Sequence, residues 1–168
     1  MPRPIPRSKK AGRARVFKTR ASAGPARPRL GSLIFGEFPV RRAKKADFGQ
    51  IRALASILFK NPRLEWGGKN IYFVAFSPAG ALAGFSHLIL RPGGAILQGL
   101  GVSPSFRGRG VGKSLVSAAC AHASKSGHSK VALKVKIENS GALGLYVKKG
   151  FTPSRIGREL VMLLRPNN

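Results

Sequence analysis

The stretch from Ala95 to Lys125 constrains this chain more than any other. Ala95–Val102 is an apolar, strand-like run interrupted by Gly99 and Gly101, and it leads into Ser103-Pro104-Ser105-Phe106-Arg107-Gly108-Arg109-Gly110-Val111-Gly112-Lys113-Ser114. From Gly110 to Lys125 the chain reads as a helix, with Val111, Leu115, Ala118, Ala119 and His122 on one face and Gly127 to end it. Glycines inside a strand announce a bulge or a close backbone approach. A strand that enters a helix through a glycine-rich loop gathers free backbone N–H groups and the partial positive charge of the helix N-terminus at one place. Arg107, Arg109 and Lys113 add full charges there. The natural guest of such a cradle is a pyrophosphate.

Spacing discriminates among phosphate motifs. The dinucleotide fingerprint G-x-G-x-x-G fails, because Lys113 stands where its third glycine belongs. The P-loop pattern fits Gly112-Lys113-Ser114 but puts its first glycine on Arg107. No acidic residue ends a following strand to hold magnesium, which counts against a nucleotide triphosphatase.

The rest of the foldable chain supplies a layered frame. Residues 38–43 suit a short strand. Asp47, with Gln50 three residues later, offers an N-cap for a helix carrying Phe48, Ile51, Leu54, Ala55 and Leu58, stopped by Pro62. Ile71–Phe76 is apolar on both faces, and Leu82–Leu90 returns after the turn Ser77-Pro78-Ala79-Gly80. Val131–Ile137 alternates as a strand with one polar face. Asn139 or Ser140 caps a short helix through Lys149, and Gly150-Phe151 fits a left-handed C-terminal cap with a hydrophobic contact. Arg158–Leu164 is the last strand. The order β-α-β-β-β-α-β-α-β indicates an α/β or α+β fold with a mixed sheet.

Charge divides the chain in two. Residues 1–36 hold ten Lys or Arg, no Asp or Glu, and five prolines. They show no periodicity, so they are expected to be disordered in isolation, as a nucleic-acid-binding arm, a targeting segment or a plain solvated tail. Prolines at 2, 4 and 6 oppose an amphipathic transit helix. Residues 37–168, the expected domain, carry 21 basic and five acidic residues, a balance of +16 within a chain total of +26. Such an excess calls for an anionic partner, with RNA or DNA as the leading candidate, a ribosome as one setting and an anionic membrane surface as a weaker candidate. No apolar run is long enough to span a bilayer, so a soluble intracellular protein is expected, in the cytoplasm or in a mitochondrial or other organelle matrix. One cysteine, Cys120, and three scattered histidines make no metal pattern, so no metal is expected.

The pattern Arg107-x-x-Gly110-x-Gly112, preceded by Val102-x-Pro104, resembles the acetyl-CoA pyrophosphate motif of the GNAT superfamily of N-acetyltransferases. About 20 residues downstream, Leu133-x-Val135-x-x-x-Asn139-x-x-Ala142-x-x-Leu145-Tyr146-x-x-x-Gly150-Phe151 resembles that family's other signature. The resemblance covers roughly residues 38–165. It implies a mixed, mostly antiparallel sheet flanked by helices, with two central strands splayed around the cofactor's pantetheine arm. It also implies acetyl-CoA as cofactor and a primary amine, of a protein or a small molecule, as acceptor.

Residue by residue, the resemblance assigns the pyrophosphate to the backbone of Arg107, Gly108, Arg109, Gly110, Val111, Gly112 and Lys113. It assigns the pantetheine to Leu100 and Val102, with Val102 N–H facing the thioester oxygen, and the cofactor arm to Asn139 and Ala142. Tyr146 becomes the acid that protonates the departing thiolate. The base is harder to place. Many family members carry a carboxylate on the strand before the loop, but Ala95–Val102 has no Asp, Glu or His, and Gln98 cannot serve. Glu138 and Glu65 are the candidates, each competing with a plain surface role, and His87 reads as a packed strand residue. Three functions follow: an N-acetyltransferase tethered to an RNA-rich complex, a GNAT-fold structural or RNA-binding component of a ribosome, or an ordinary soluble acetyltransferase with a targeting tail.

Overall fold

A computed structural model describes residues 38–155 and 160–164. The expectations for residues 1–36 and for Arg158 lie outside the described residues. The elements in chain order are β1 (Val40–Arg42), α1 (Phe48–Leu58), β2 (Asn70–Phe76), β3 (Leu82–Arg91), β4 (Gly94–Val102), α2 (Val111–Lys125), β5 (Val131–Val135), α3 (Ser140–Lys148), β6 (Thr152–Arg155) and β7 (Leu160–Leu164). They build a seven-stranded sheet in the order β1-β2-β3-β4-β5-β7-β6. Every neighbouring pair is antiparallel except β4 and β5, which run parallel. The mixed, mostly antiparallel sheet with flanking helices is the expected class.

The sheet separates two apolar layers. On one face α2 and α3 lie over Ile71, Phe73, Leu88, Leu97, Leu133 and Met162. Leu115 and Val116 of α2 have no exposed surface, and burying side chains of this size contributes about 1.5–3 kcal/mol each. On the other face α1 sets Ile51, Leu54 and Ala55 against Tyr72, Val74 and Phe85. Both faces of β2 are therefore covered, as its continuous apolar run requires.

Two expectations need correction. The strand at 131–137 stops at Val135, because Asn139 N–H turns back to the carbonyl of Lys136 at 3.0 Å, and Ile137 is left half-exposed. Strand β6 has no counterpart in the sequence reading. It contains Pro153, which a central strand would reject, and it is tolerated because β6 is the sheet's edge.

Asp47 also acts differently. It precedes α1, but its carboxylate caps no helical N–H of α1. It accepts a bidentate pair from Arg41 (Nη1–Oδ2 2.7 Å, Nη2–Oδ1 2.8 Å) and the N–H of Lys44 at 2.6 Å. The hydrogen bonds from Arg41 are the main reason its carboxyl titrates below the ordinary carboxylate range. A depressed folded pKa means the pair's stabilisation is present above the unfolded pKa of about 4 and is lost as pH falls through the lower folded value. Asp47→Asn is therefore expected to cost about 1 kcal/mol at pH 7. The cost should vanish in strong acid, read as converging thermal midpoints of the two proteins between pH 7 and pH 2.

Candidate active site

The site begins where two strands part. β4 and β5 pair over only three positions, Ala95↔Val131, Ile96↔Ala132 and Leu97↔Leu133. The next residue of β4, Gln98, is an extra residue against β3, since Leu97 faces Leu88 while Gly99 faces His87. A bulge bends its strand and raises its twist, so β4 turns from β5 at the point where their pairing ends. The bulge expected from the strand glycines is present, and it forms the fork.

Beyond the fork, the edge of β4 that faces β5 carries polar backbone. Ser103 N–H bonds Ala83 of β3 at 2.9 Å. Antiparallel ladders alternate, so the N–H and C=O of Val102, and likewise of Leu100, point to the opposite edge. The guanidinium of Arg107 folds back there, its Nε 3.3 Å from the carbonyl of Val102.

The loop above the fork is shaped by two glycines. Gly110 is the N-cap of α2 with φ +81°, the left-handed region. A Cβ built on it would meet nothing within 4 Å, so the space before the helix is open. The N–H groups of Val111, Gly112 and Lys113, in the first turn of α2, have no intrahelical acceptor; the helical ladder starts at Ser114 N–H, 3.1 Å from the carbonyl of Gly110. Arg109 lies 5.9 Å over the ring of Phe106. Gly112 is a close approach: a Cβ there would stand 3.3 Å from Leu145 Cδ2 and 3.6 Å from Val102 Cγ2. Gly112 is thus where the loop helix, α3 and β4 meet, and it brings the two sequence segments together.

Helix α3 holds Tyr146 by its own ending. Gly150 takes φ +83°, with its N–H to Val147 at 2.9 Å and the N–H of Phe151 to Tyr146 at 3.0 Å. This double closure is a Schellman cap, and its hydrophobic contact is the edge-on pair of Tyr146 and Phe151, 5.7 Å between centroids. Tyr146 is buried, and burial pushes its pKa up to about 12. At the other end of α3, Asn139 Oδ1 caps Ala142 N–H at 3.2 Å. That bond occupies groups that the sequence reading gave to the cofactor, leaving the Asn139 amide nitrogen as its free donor.

The candidate bases differ in placement. Glu138 is exposed on the β5–α3 connection, at the edge of the sheet where β4 and β5 both end. Glu65 contributes its backbone carbonyl to Tyr72 Oη at 2.9 Å. His87 is packed in β3, stacked on Tyr72 at 4.3 Å. Asn70 Nδ2 donates to Gly67, so its Oδ1 accepts from His87 Nε2 at 2.9 Å. Burial pushes the His87 pKa down to about 4. Among the described residues no three His, Cys, Asp or Glu side chains gather to hold a metal, and no helix is long and apolar enough to cross a membrane.

The fork, the glycine cradle at its mouth and the helix that carries Tyr146 meet at Gly112. The chain belongs to the acetyltransferase (GNAT) family, whose model matches residues 43–151. Among relatives, the mycothiol acetyltransferase of Clavibacter sepedonicus is 36% identical over 91 residues, 54% of this chain and 30% of the relative. The matches span less than a third of the length of the curated relatives. Among solved structures, the ribosomal-protein-S18-alanine N-acetyltransferase of Escherichia coli superposes with a TM-score of 0.66 at 22% identity, over 75% of this chain and 92% of that one. The PaiA N-acetyltransferase of Thermoplasma acidophilum, solved with coenzyme A, gives 0.53 at 27% identity over 56% and 60%. Acetyltransferases of this family use acetyl-CoA, and the open left-handed turn at Gly110 with the free N–H groups behind it suits that cofactor's pyrophosphate.

Gly110→Val tests the cradle. A β-branched side chain in the left-handed region costs about 1–2 kcal/mol and projects into the open space. Acetyl-CoA affinity measured by calorimetry is expected to fall at least about tenfold; unchanged affinity would place the pyrophosphate elsewhere.

Proposed function

We propose that this protein transfers an acetyl group from acetyl-CoA to a primary amine of a protein, while its basic surface holds it on an RNA-rich complex. The observation that supports transfer is the meeting at Gly112 of the loop helix, the open edge of β4 and the helix that carries Tyr146. Acetyl-CoA, when bound, supplies an activated thioester carbonyl.

The chain's own residues divide the remaining tasks. The backbone N–H groups from Gly108 to Lys113 and the side chains of Arg107, Arg109 and Lys113 neutralise the pyrophosphate. The edge of β4 at Leu100 and Val102 offers backbone partners to the amides of the pantetheine arm, and Val102 N–H is the donor for carbonyl charge. The free amide nitrogen of Asn139 steadies the same arm from the α3 side. Tyr146 retains its proton at neutral pH, because burial holds its pKa far above 7, and the phenol is the donor to a departing thiolate. Glu138 is assigned as proton acceptor for the incoming ammonium, through water. It is the acidic side chain, among the described residues, that lies at the end of the sheet where β4 and β5 finish.

The RNA part of the proposal rests on charge. Asp47, Glu65 and Glu138 are the acidic residues among those described, and Asp47 is already neutralised by Arg41. The arm at residues 1–36 adds ten cations.

Two measurements test the proposal. Tyr146→Phe is expected to lower kcat by about 10²-fold, the low end of general-acid effects because a thiolate leaves readily, with acetyl-CoA affinity retained. Equal turnover would remove Tyr146 from the chemistry. For RNA, contact with ~6–10 phosphates predicts an affinity loss of about 10³–10⁵ between 50 and 200 mM salt in filter binding. A flat response would sink the tether.

A further inference from the structure

The fork opens toward two faces of the sheet, and they differ. On the α2–α3 face, Leu145, Gly112, Leu100 and Val102 close together over the parting strands. On the opposite face α1 covers β2 and β3 and reaches β4 only at its far end, where a Cβ on Gly101 would stand 3.0 Å from Leu58 Cδ1. Next to it, a Cβ on Gly99 would meet only His87 Cβ, at 3.8 Å. Among the described residues, nothing therefore stands in the way of a second reactant approaching from the α1 face.

Two side chains stand first beyond the fork on that face. Leu97 and Leu133, the last pair, are both buried under α2. Strand residues alternate between faces, so Gln98 and Lys134, which follow them, project to the α1 face, and both are exposed. Lys134 makes no hydrogen bond or ion pair with any described residue. It is flanked by Val161 of β7, its Cα partner, and by Ala132 one position earlier on the same face. A lysine offers donors and no acceptor. Desolvating an acceptor ammonium beside it is unfavourable, whereas an anionic group on the same acceptor gains a partner.

We propose that Lys134 selects an acceptor whose own molecule carries a carboxylate beside the reactive amine, which for a protein means an acidic residue next to the acetylated amine. The protein form of this inference rests on the function proposed above. Lys134 binds the acceptor's carboxylate, Gln98 supplies a neutral donor and acceptor across the fork, and polyamines and lysine-rich tails are repelled.

The test uses the full chain with acetyl-CoA and three peptides identical except for Asp, Asn or Lys after the N-terminal residue. The readout is kcat/KM from release of the coenzyme A thiol. The wild type is expected to favour the Asp over the Lys peptide by about tenfold, because attraction and repulsion add, and the preference should shrink at about 1 M salt. Lys134→Gln flattens the ranking and Lys134→Glu reverses it. A wild type indifferent to charge, or one ranking shared by all three proteins, overturns the inference and leaves the transferase standing. If peptides fail but small amines react, the protein acceptor falls, and the ranking of glutamate, glycinamide and spermidine decides the role of Lys134 by the same criterion. If no amine reacts while acetyl-CoA binds in calorimetry, both the transferase and the inference fall.

Discussion

The parting of β4 from β5 after three paired residues is the constraint on which the rest of this molecule depends. A continuous parallel ladder would satisfy the backbone of Leu100 and Val102 and leave no cleft. The bulge at Gln98 turns β4 away instead, and each neighbouring feature answers to that break. Arg107 returns to the carbonyl of Val102, α2 starts from a left-handed glycine above the opening, and α3 comes close enough to touch Gly112. Removing the bulge would close the cleft and leave the loop and the helix that meets it at Gly112 without an opening to face.

What was legible in the sequence is what is encoded locally. The glycine loop, the helix after it and the Gly150-Phe151 ending announce themselves within a few residues, because a positive φ and a helix cap each need a particular residue at a particular place. The last of these also placed Tyr146, since the Schellman cap and its ring contact fix the phenol relative to Phe151. What was not legible depended on distant partners. Asp47 looks like a helix cap, yet Arg41, six residues earlier, claims its carboxylate. Asn139 reads equally as cap and cofactor ligand, and only the position of Ala142 N–H shows that its oxygen is used. Strand β6 was invisible because Pro153 is acceptable only on an edge, and edge status is a property of the whole sheet. The open α1 face around Lys134 was equally hidden, since alternation names a polar face without saying whether a helix covers it.

The distribution of charge follows a simple division. Burial penalises the charged form of any group, raising acids and lowering bases. Tyr146 is accordingly held near 12, His87 near 4 and Cys120 near 11, so each of these groups is uncharged at pH 7. The cations of the site, Arg107, Arg109, Lys113 and Lys134, are all exposed. The buried titratable groups are therefore electrically quiet, and the exposed cations around the loop and the fork make that surface strongly positive.

On the function proposed above, that arrangement separates chemistry from selection. A phenol kept neutral by desolvation can hold a proton without an opposing carboxylate. Rim charges, lying in high dielectric, are weak individually and sensitive to salt, but they act on every molecule that approaches. On a chain with a balance of +26, they disfavour free cationic amines before contact and favour a polyanionic cofactor. An amine reaches such a site against the field unless its own molecule, or the complex it belongs to, brings the negative charge with it.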